Sequence, residues 1–482
     1  MKVRWGRVAA AAVAAAWLVT ALWQTHKPLP PGLHVESPLC TAAGADVAFI
    51  PDLTAADAYG HPAVSQGIQD ATLRLIGGAR RFVLMDYALI GAASAEAAPQ
   101  RRIAAEFTEA LVKLRRERPE VQVLLVTDPV NERYGTTRSA QLTLLRAAGV
   151  QVVRADLDQL RDPNFLYSSL WRLGFNWWGG PPGTSGALAR DLNFKADHRK
   201  VVIADDARGG LTALVGSANP LERESAWSNL ALRFSGAAAA VLLKSELAVA
   251  RFSGWNGPLT AFTPAVAAAV ACEAATAAAP SSAQARVQVL TEGAIRQVLL
   301  AQIAAAVRGD AIDIAMFKLA DRGVLDALLQ AGRRGVRVRL ILDPSEDATT
   351  LTPSGLPNQP LASELVARSA GAVQVRWYRT HGERFHTALA LISGAGRVWL
   401  LGGSANFTRR ALDDYNLDAD VALELTRDAP LADEARAYFD TLWSNRAALG
   451  IEYTAAFAAF ADPSQADYWL CRLLEGAGLA AF

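Results

Sequence analysis

The chain has 482 residues, of which 48 are Lys or Arg and 47 are Asp or Glu, so its formal net charge is +1. It is long enough for two domains of about 200 residues, each with its own core. A near-neutral chain has no field over its whole surface that would recruit nucleic acid, so recognition of an anion must depend on a local site.

The first 27 residues predict a segment that meets a membrane. Three basic residues precede an unbroken low-polarity run over 8–23, and the stiff segment 28–31 follows Lys27. The run is shorter than the ~20 residues that cross a bilayer comfortably, but flanking Trp and charged side chains extend it. We predict an uncleaved signal anchor over 1–27 in preference to a signal peptide cleaved after Ala21. The excess of positive charge before the run predicts that the bulk of the chain lies outside the cytoplasm.

Strand-like and helix-like patterns alternate downstream, and they do so in the same order in two halves of the chain. Helical patterns at 107–116 and 324–334 each separate two short apolar runs. Such alternation predicts an α/β layered structure. The matched runs are 81–87 with 311–317, 121–129 with 336–344, and 149–153 with 373–377.

The segment 162–190 has no counterpart in the second half and is rich in aromatic residues. Two interpretations stay open: the rings dip into a membrane or line an acyl-chain groove, or they pack beneath a long loop. The aromatic residues are Phe165, Tyr167, Trp171, Phe175, Trp177 and Trp178.

One motif occurs twice with nearly the same internal spacing. In the first half Asp197-His198-Arg199-Lys200 precedes Gly216-Ser217-Ala218-Asn219, and in the second half Phe385-His386-Thr387-Ala388 precedes Gly403-Ser404-Ala405-Asn406. The histidines are 188 residues apart and the first glycines 187. This repeat indicates a duplicated domain, and one His from each copy predicts a site shared across the junction. We therefore predict domains at 45–263 and 286–482, joined by an Ala-rich linker at 264–285.

The first copy resembles the signature of the phospholipase D superfamily, through His198-x-Lys200, Asp205 and Gly216-Ser217-x-Asn219. The second copy resembles it too, but Ala388 stands where Lys is expected and Ser393 where Asp is expected. From Val47 onward the chain most resembles bacterial phospholipase D-like, cardiolipin-synthase-like proteins. The resemblance implies an α/β fold of two similar α-β-α sandwich domains related by a pseudo-twofold axis, behind an N-terminal hydrophobic helix in the bacterial inner membrane.

The resemblance also implies a metal-independent phosphodiesterase or phosphatidyltransferase that acts on phospholipids through a phosphohistidine intermediate, without a cofactor. One imidazole attacks phosphorus, and a second, protonated imidazole gives its proton to the departing alcohol. Lys and Asn side chains then stabilise the charge on the phosphate oxygens. The predicted catalytic residues are His198, Lys200 and His386, and the predicted phosphate-binding residues are Ser217, Asn219, Ser404 and Asn406.

Two carboxylates are predicted to support the site. Asp205 is expected to be structural and to make no contact with substrate. Asn416-Leu417-Asp418 fits an Asn-x-acid element of the family, whereas the first half has Asn229-Leu230-Ala231. If Asp418 contacts His386, that imidazole keeps its proton more readily, which suits His386 to the general acid and leaves His198 as the nucleophile.

The absence of Lys at position 388 keeps other functions open. Loss of one phosphate-binding cation costs about 10²–10³-fold in rate on the scale of an oxyanion-hole donor. Lys318 is a candidate replacement, as are Arg409 and Arg410. One alternative is a weak or inactive protein that binds phospholipid phosphate. Another is a nuclease, which the near-neutral charge and the lack of a basic tract disfavour.

Neither the three cysteines nor the other histidines have the spacing of metal ligands, so no metal site is predicted. Cys40, Cys272 and Cys471 are interpreted as buried or incidental thiols, with a Cys40–Cys272 disulfide as the alternative. The lipid headgroup, the choice between hydrolysis and transfer, and the oligomeric state are left open by the sequence.

Overall fold

Two large mixed sheets form the frame of the molecule. The structure, a computed structural model, describes residues 2–56, 62–91, 101–176, 189–190, 192–206, 209–267, 272, 280–346, 353–445 and 451–480. Trp177 and Trp178 of the aromatic segment, and half of the predicted linker, lie outside the described residues.

The described strands are numbered along the chain. They are β1 (Cys40–Ala43), β2 (Val47–Ala56), β3 (Pro62–Gln66), β4 (Phe82–Tyr87), β5 (Gln122–Thr127), β6 (Gln151–Arg154), β7 (Lys200–Asp205), β8 (Leu211–Gly216), β9 (Asn229–Ser235), β10 (Gln284–Thr291), β11 (Ala311–Met316), β12 (Arg337–Leu342), β13 (Val373–Tyr378), β14 (Ala388–Ser393), β15 (Arg397–Gly403), β16 (Ala419–Thr426) and β17 (Thr454–Ala456).

The described helices are numbered in the same way. They are α1 (Lys2–His26), α2 (Gly67–Gly78), α3 (Ile103–Glu117), α4 (Ala140–Ala147), α5 (Phe165–Ser169), α6 (Ala237–Phe252), α7 (Thr263–Ala267), α8 (Gly293–Ala305), α9 (Arg322–Arg333), α10 (Asn358–Arg368), α11 (Arg409–Leu412), α12 (Pro430–Ser444) and α13 (Gln465–Ala477). A single π-helical stretch, Leu170–Phe175, continues α5.

The two sheets share one topology. The first has the order β3-β2-β9-β8-β7-β4-β5-β6 and the second β1-β10-β16-β15-β14-β11-β12-β13-β17. Seven strands correspond in their order across the sheets. The run β2-β9-β8-β7-β4-β5-β6 of the first sheet matches β10-β16-β15-β14-β11-β12-β13 of the second. The parallel strands are β4-β5-β6 and β11-β12-β13. The predicted pair of similar α/β units behind an apolar N-terminal helix is confirmed.

Strand pairing corrects one detail of the predicted repeat. Tyr87 pairs with Lys200, and Met316 pairs with Ala388, so Tyr87 corresponds to Met316. The predicted match of 81–87 with 311–317 is therefore wrong by one residue. The central strands β4, β7 and β11 are buried along their whole length, so they show no alternation of buried and exposed residues that fixes their register.

Helices and sheets form layers around three buried clusters. One cluster lies between the sheets and includes α6 and α12, a second joins the first sheet to α2, α3 and α4, and a third joins the second sheet to α8, α9, α10 and α13. Each sheet is therefore covered on both faces, which keeps the motif strands at the centre of the molecule rigid.

The segment before the first repeat joins the second sheet. Strand β1 pairs antiparallel with β10, and Cys40 on β1 forms a disulfide with Cys272, with 4.7 Å between their Cα atoms. The disulfide alternative is thus the one present in the structure. Cys471 is a buried free thiol.

Helix α1 is long and apolar enough to cross a membrane over Trp5–His26, a stretch of 22 residues. Its C-terminal part packs on the aromatic segment, where the rings of Trp17 and Phe165 meet edge to face at 5.7 Å. The Asp162 amide donates to the Gln24 carbonyl at 2.9 Å, and Lys27 Nζ donates to the Asp158 carbonyl at 2.8 Å. The helix is therefore fixed to the body of the protein at one end and exposed along most of its length.

Candidate functional site

The two motif segments meet at the junction through symmetrical backbone bridges. The His198 amide donates to the Leu417 carbonyl at 2.8 Å, and the His386 amide donates to the Ser228 carbonyl at 2.8 Å. The return bonds run from the Leu417 amide to the Ala196 carbonyl and from the Ser228 amide to the Arg384 carbonyl. Each histidine is therefore held beside a strand that belongs to the other half.

This bridging places a carboxylate beside the first histidine. Asp418 Oδ1 lies 2.8 Å from His198 Nδ1, and Asp418 Oδ1 also accepts a 2.8 Å bond from the Ser404 hydroxyl. Burial lowers the pKa of His198 and Lys200 lowers it further, while Asp418 opposes both; the net shift is downward. The lowered pKa favours the neutral imidazole of His198, whose Nδ1 is engaged by Asp418.

An amide occupies the equivalent place beside the second histidine. Asn229 Oδ1 lies 3.0 Å from His386 Nδ1 and accepts a 2.8 Å bond from the Ser217 hydroxyl. Burial, Lys200, His198 and Arg384 together lower the pKa of His386 well below its usual value. Without a carboxylate on its Nδ1, His386 has less help in holding a proton than His198 has.

The prediction that Asp418 contacts His386 is therefore wrong. The Ser217 amide bonds to the Leu230 carbonyl, as the Ser404 amide bonds to the Ala419 carbonyl, so the counterpart of Asp418 is Asn229, not Ala231. The match of Asp418 with Ala231 is wrong because the connection between Gly-Ser-x-Asn and the next strand is two residues longer in the second half. Each histidine is paired with a residue of the other half because, at the junction, the end of a strand from one half lies beside the histidine of the other half.

Both histidines line one cavity of about 440 Å³. Asn219 and Asn406, predicted to bind phosphate, line it as well, one from each half. Lys200 is buried close behind, with its ammonium on the His198 carbonyl, and burial lowers its pKa to about 8. The site that the repeat predicts at the junction is brought together by the fold.

Two predicted phosphate ligands lie elsewhere. The hydroxyls of Ser217 and Ser404 donate to the groups that hold the histidines and accept the amides of Leu230 and Ala419 at 3.1 and 3.0 Å. They are buried behind the imidazoles and do not line the cavity. Both serines therefore contact the partners of the histidines in this structure and not the cavity.

Asp205 caps the start of the neighbouring strand, away from the cavity. Its Oδ1 accepts the amides of Arg80, Arg81 and Phe82 at 3.2, 2.9 and 3.0 Å. This is the structural position that the sequence predicts for it. Ser393, its counterpart on β14, has a buried hydroxyl with no hydrogen-bond partner among the described residues.

The candidate replacements for the absent lysine differ in position. Lys318 lines the cavity; its Nζ lies 2.8 Å from the Ser345 hydroxyl and 4.7 Å from the centre of the Phe317 ring. Arg410 also lines the cavity and is buried near Asp418. Arg409 instead donates to the Tyr415 hydroxyl and does not line it.

Sequence reasoning missed a cation of the second half that acts on the second histidine. Arg384 lines the cavity, its guanidinium carbon is 4.9 Å from the centre of the Trp227 ring, and its charge helps to lower the pKa of His386. It stands two residues before His386, just as Lys200 stands two residues after His198. Alternation along an extended segment was the available signal, because residues two apart face the same way.

A buried carboxylate was also missed. Glu224 lines the cavity and accepts the Asn219 amide at 2.8 Å and its side-chain Nδ2 at 3.0 Å. Burial raises the pKa of Glu224. It fixes the orientation of Asn219, so it serves as a positioning residue. Across the described part of the chain, no group of three or more His, Cys, Asp or Glu side chains is arranged to hold a metal ion.

Comparison with known proteins agrees with this geometry. Residues 299–443 match the family described as cardiolipin synthase, phospholipase D-like domain. No curated protein matches the chain significantly by sequence. The crystal structure of phosphatidylserine synthase from Haemophilus influenzae Rd KW20 is similar with a TM-score of 0.58 and 11% identity, over 92% of this chain and 96% of that one.

Two further solved structures match less well overall. Nuc, a phospholipase D family member from Salmonella typhimurium, has a TM-score of 0.27 and 18% identity, over 33% of this chain and 95% of its own. Polyphosphate kinase from Porphyromonas gingivalis has a TM-score of 0.41 and 13% identity, over 90% of this chain and 56% of its own. The family match thus lies in the second half of the chain, and the fold of nearly the whole chain is similar to that of the phosphatidylserine synthase.

Proposed function

We propose that this protein is a phosphodiesterase or phosphatidyltransferase that acts on phospholipids, with His198 as the nucleophile and His386 as the general acid and base. The observation that carries the proposal is the pair of imidazoles, one from each half, on one cavity wall with Nδ1 of each engaged. Each ring then presents Nε2 to a phosphodiester, as a two-histidine displacement at phosphorus requires.

Asp418 supports the nucleophile in this scheme. By accepting the Nδ1 proton of His198, it keeps the lone pair on Nε2, where it can attack phosphorus. As the P–N bond forms, the ring becomes positively charged, and the adjacent carboxylate stabilises that charge. Asn219, Asn406 and Arg384, which line the cavity, supply amide and positive groups around the phosphate oxygens, and Lys200 adds positive charge from its buried position behind His198.

His386 has to carry a proton when the alcohol departs, although its pKa is low in the empty site. A bound phosphodiester brings a negative charge into the cavity, and an opposite charge close by favours the protonated imidazole. Substrate binding thus raises the pKa of His386, which the uncharged side chain of Asn229 does not do. His386 can then act as general acid, but a smaller fraction of it is protonated than of a histidine held by a carboxylate.

The proposal is tested with purified protein and mixed phospholipid vesicles, with and without EDTA and a primary alcohol. We expect release of headgroup that EDTA does not prevent, a transfer product when the alcohol is present, and acid-labile labelled phosphate on His198 after rapid quenching. Vesicle binding without any product would favour the phosphate-binding alternative. Cleavage of single-stranded DNA in place of lipid would favour the nuclease.

Asn229→Asp is expected to increase the protonated fraction of His386, the proposed general acid. The carboxylate would accept both the Ser217 hydroxyl and His386 Nδ1–H, so the pKa of His386 should rise. The rate, which falls as His386 loses its proton, should persist to higher pH and increase several-fold at pH 7, or about tenfold for one pKa unit.

Asn416→Asp is the matched control for this experiment. Asn416 lines the same cavity, but its Oδ1 accepts the Ala196 amide at 2.9 Å and not a histidine. The Asn416→Asp substitution adds the same negative charge without contacting His386 Nδ1. An identical change of pH profile in both variants would show a general field effect and contradict the specific role of position 229.

We further propose that α1 anchors the protein in the inner membrane with both sheets outside the cytoplasm. The support is the apolar stretch Trp5–His26, the basic residues before it, and the Cys40–Cys272 disulfide, since disulfides persist in oxidising compartments. The aromatic segment adds exposed apolar side chains at Leu166, Leu170 and Leu173 beside α1. Trp171 of that segment is buried, so leucines rather than this ring face outward.

Removal of residues 1–26 is expected to convert the protein from one that resists alkaline extraction into one that washes off membranes. The shortened chain should still melt cooperatively, because β1 and both sheets begin later and Lys27 keeps its bond to Asp158. Membrane fractionation and a thermal melt measure the two effects. Loss of cooperative melting would instead show that α1 belongs to the folded core.

A further inference from the structure

A cluster of five charged side chains lies beside His198, and the proposed chemistry at phosphorus uses none of them. All five are fully buried, at 0% exposure, and they comprise four carboxyl groups and one guanidinium. The members of this buried cluster are Asp86 on β4, Asp197, Arg199, Glu246 on α6 and Glu292 before α8. Ionised carboxylates away from water are costly unless each is paired, so one guanidinium cannot serve all four as charged groups.

Arg199 serves two of these carboxylates, and it does so across the junction. Its Nη1 donates to Glu246 Oε1 at 3.0 Å in the first half, and its Nη2 donates to Glu292 Oε1 at 2.6 Å in the second half. The Glu292 amide in turn donates to the Asp418 carbonyl at 3.1 Å, and Asp418 is the carboxylate beside His198. The Arg199–Glu292 pair therefore connects the residue that follows His198 to the residue that engages its Nδ1.

The other two carboxyl groups, Asp86 and Asp197, form no ion pair among the described residues. Their side chains contact each other, yet as ionised groups none of their oxygens has a hydrogen-bond donor in the described part of the chain. Two neighbouring carboxylates cannot bond to each other, but a proton on one of them makes an O–H donor for the other. One proton between them therefore satisfies both groups and removes the repulsion of two like charges.

The surroundings of this pair favour such a proton. Burial raises the pKa of Asp197 to about 8, and the charge of Asp128, whose Oδ2 accepts the Asp197 amide at 2.7 Å, acts in the same direction. Burial and the charge of Asp197 also raise the pKa of Asp86. The charged groups that face the pair are Asp128, Glu246, Arg199 and Lys200. The opposing charge of Arg199 does not reverse the shift, so the pair titrates as a unit that keeps a proton near neutral pH.

Uncharged residues stand at the corresponding positions of the second half. In the register that aligns Lys200 with Ala388, they are Ala315, Phe385 and Thr387, in place of Asp86, Asp197 and Arg199. Well-packed apolar residues stabilise a fold as well as buried ion pairs do, so the stability of such a unit does not require the cluster. Its position beside His198 and not beside His386 instead indicates a role in the reaction.

We infer that Asp86 and Asp197 share one proton, and that this pair and the Arg199–Glu292 bridge position His198 against Asp418 for its attack on phosphorus. The inference deepens the proposed function and rests on it for the role of His198. The O–H of one carboxyl donates to the other, and at alkaline pH this proton passes to hydroxide. Two buried carboxylates then repel each other at the segment that carries His198, which displaces the imidazole from Asp418.

The shared proton is tested on the full chain without turnover. Near neutral pH in D₂O, Asp86→Asn should lose part of the infrared carbonyl band of protonated carboxyls that the parent shows. Folding raises the pKa of the pair, so its contribution to stability is complete in acid and is lost as the pH rises through about 8. The melting temperature of the parent should fall over this range. That of Asp86→Asn, whose amide donates to Asp197 at every pH, should fall by several degrees less.

Kinetics with phospholipid vesicles separate positioning from stability. Above a pH of about 8, kcat of the parent should fall by about 100-fold per pH unit, as for loss of one proton from His386 and one from the pair, and that of Asp86→Asn by about tenfold. Asp197→Asn should behave in the same way, because an amide on either residue donates to the other carboxylate. Asp52→Asn is the matched control: burial raises the pKa of Asp52 to about 7, but it accepts the Ile68 amide at 3.0 Å, outside the buried cluster. It should flatten the melting profile and keep the parental slope of kcat.

Glu292→Gln tests the bridge across the junction. Its side-chain oxygen can still accept from Arg199, but the charge is gone. We expect kcat to fall by about tenfold or more, the scale of one hydrogen bond between charged groups, with KM for the phospholipid unchanged. A loss in kcat alone is the result expected of a group that acts through His198 and not on the bound lipid.

These measurements separate the inference from the proposed function. If the protein forms no product from lipid, the infrared and melting differences are still expected, and the proposed function alone fails. Equal carboxyl bands in the parent and in both Asn variants would overturn the shared proton. A two-proton slope retained in Asp86→Asn, or a parental kcat in Glu292→Gln, would overturn the positioning of His198.

Discussion

Replacing either His198 or His386 with alanine is expected to abolish turnover, with a loss of about 10⁴-fold or more. The reason is geometric: the two imidazoles come from different halves but line one cavity, and each performs a step that the other cannot. Headgroup release from radiolabelled phospholipid vesicles, followed over several decades of rate, measures the loss. His381→Ala is the matched control, because His381 is exposed, does not line the cavity and has Glu383 of its own loop as its side-chain partner.

The two alanine variants differ in what accumulates. Without His386, departure of the alcohol is slow, and any phosphoryl group that forms on His198 is not released by an activated water. Labelled phosphate should therefore be trapped on His198 in the His386→Ala protein and never on His386 in the His198→Ala protein. Trapping on His386 would reverse the two roles. Parental activity in either variant would contradict the shared site altogether.

Much of this site was predictable because its residues belong to a motif that occurs twice in the sequence. The spacing of His, Lys, Gly, Ser and Asn in two copies predicts two matching units and a junction, and the structure confirms both the fold and the convergence of His198 and His386. Short apolar runs predict the existence of the strands, since parallel strands buried on both faces are largely apolar. Such runs do not give the register of the strands, which is why one strand match was wrong by a residue.

The partners of the histidines were not predictable from the sequence. A linear comparison assumes that a carboxylate serves the histidine of its own half, whereas bridges such as His198 to Leu417 cross the junction. The crossing is a property of how the two sheets pack, and no local pattern records it. The role of the serines was missed for a related reason, since hydroxyls that orient a carboxylate and hydroxyls that bind phosphate look alike in a motif.

The second prediction concerns the cation that serves the second half. Ala388 is buried on β14, and Arg384 is a cation of the same half that helps to lower the pKa of His386. We expect Arg384→Gln to lower kcat by about 10²–10³-fold, the effect of removing one donor from a developing anion. Because Arg384 lowers the pKa of His386, its loss should also move the falling limb of the pH profile to higher pH.

A lysine at position 388 then distinguishes relocation of the cation from its loss. On β14 it would occupy the place that Lys200 has on β7, since Ala388 pairs with Met316 as Lys200 pairs with Tyr87. In the Arg384→Gln protein, Ala388→Lys should recover most of the lost rate, whereas in the parent it should add little because the charge is already supplied. Arg379→Gln, five residues upstream and paired with Glu452 at 2.7 Å, is the control for charge alone.

Other outcomes assign the cation elsewhere. If Arg384→Gln has no effect while Lys318→Ala is severe, Lys318 is the phosphate-binding group, reached by release from Ser345. If both single variants are near parental and Ala388→Lys raises the rate of the parent by about tenfold or more, the second cation is absent and its restoration improves the site. A parent protein that binds vesicles but turns over no lipid, with or without Lys at 388, would make phosphate binding its function. The reduced protonation of His386, whose Nδ1 lies beside Asn229 and not a carboxylate, would then be a second sign that catalytic activity has been lost.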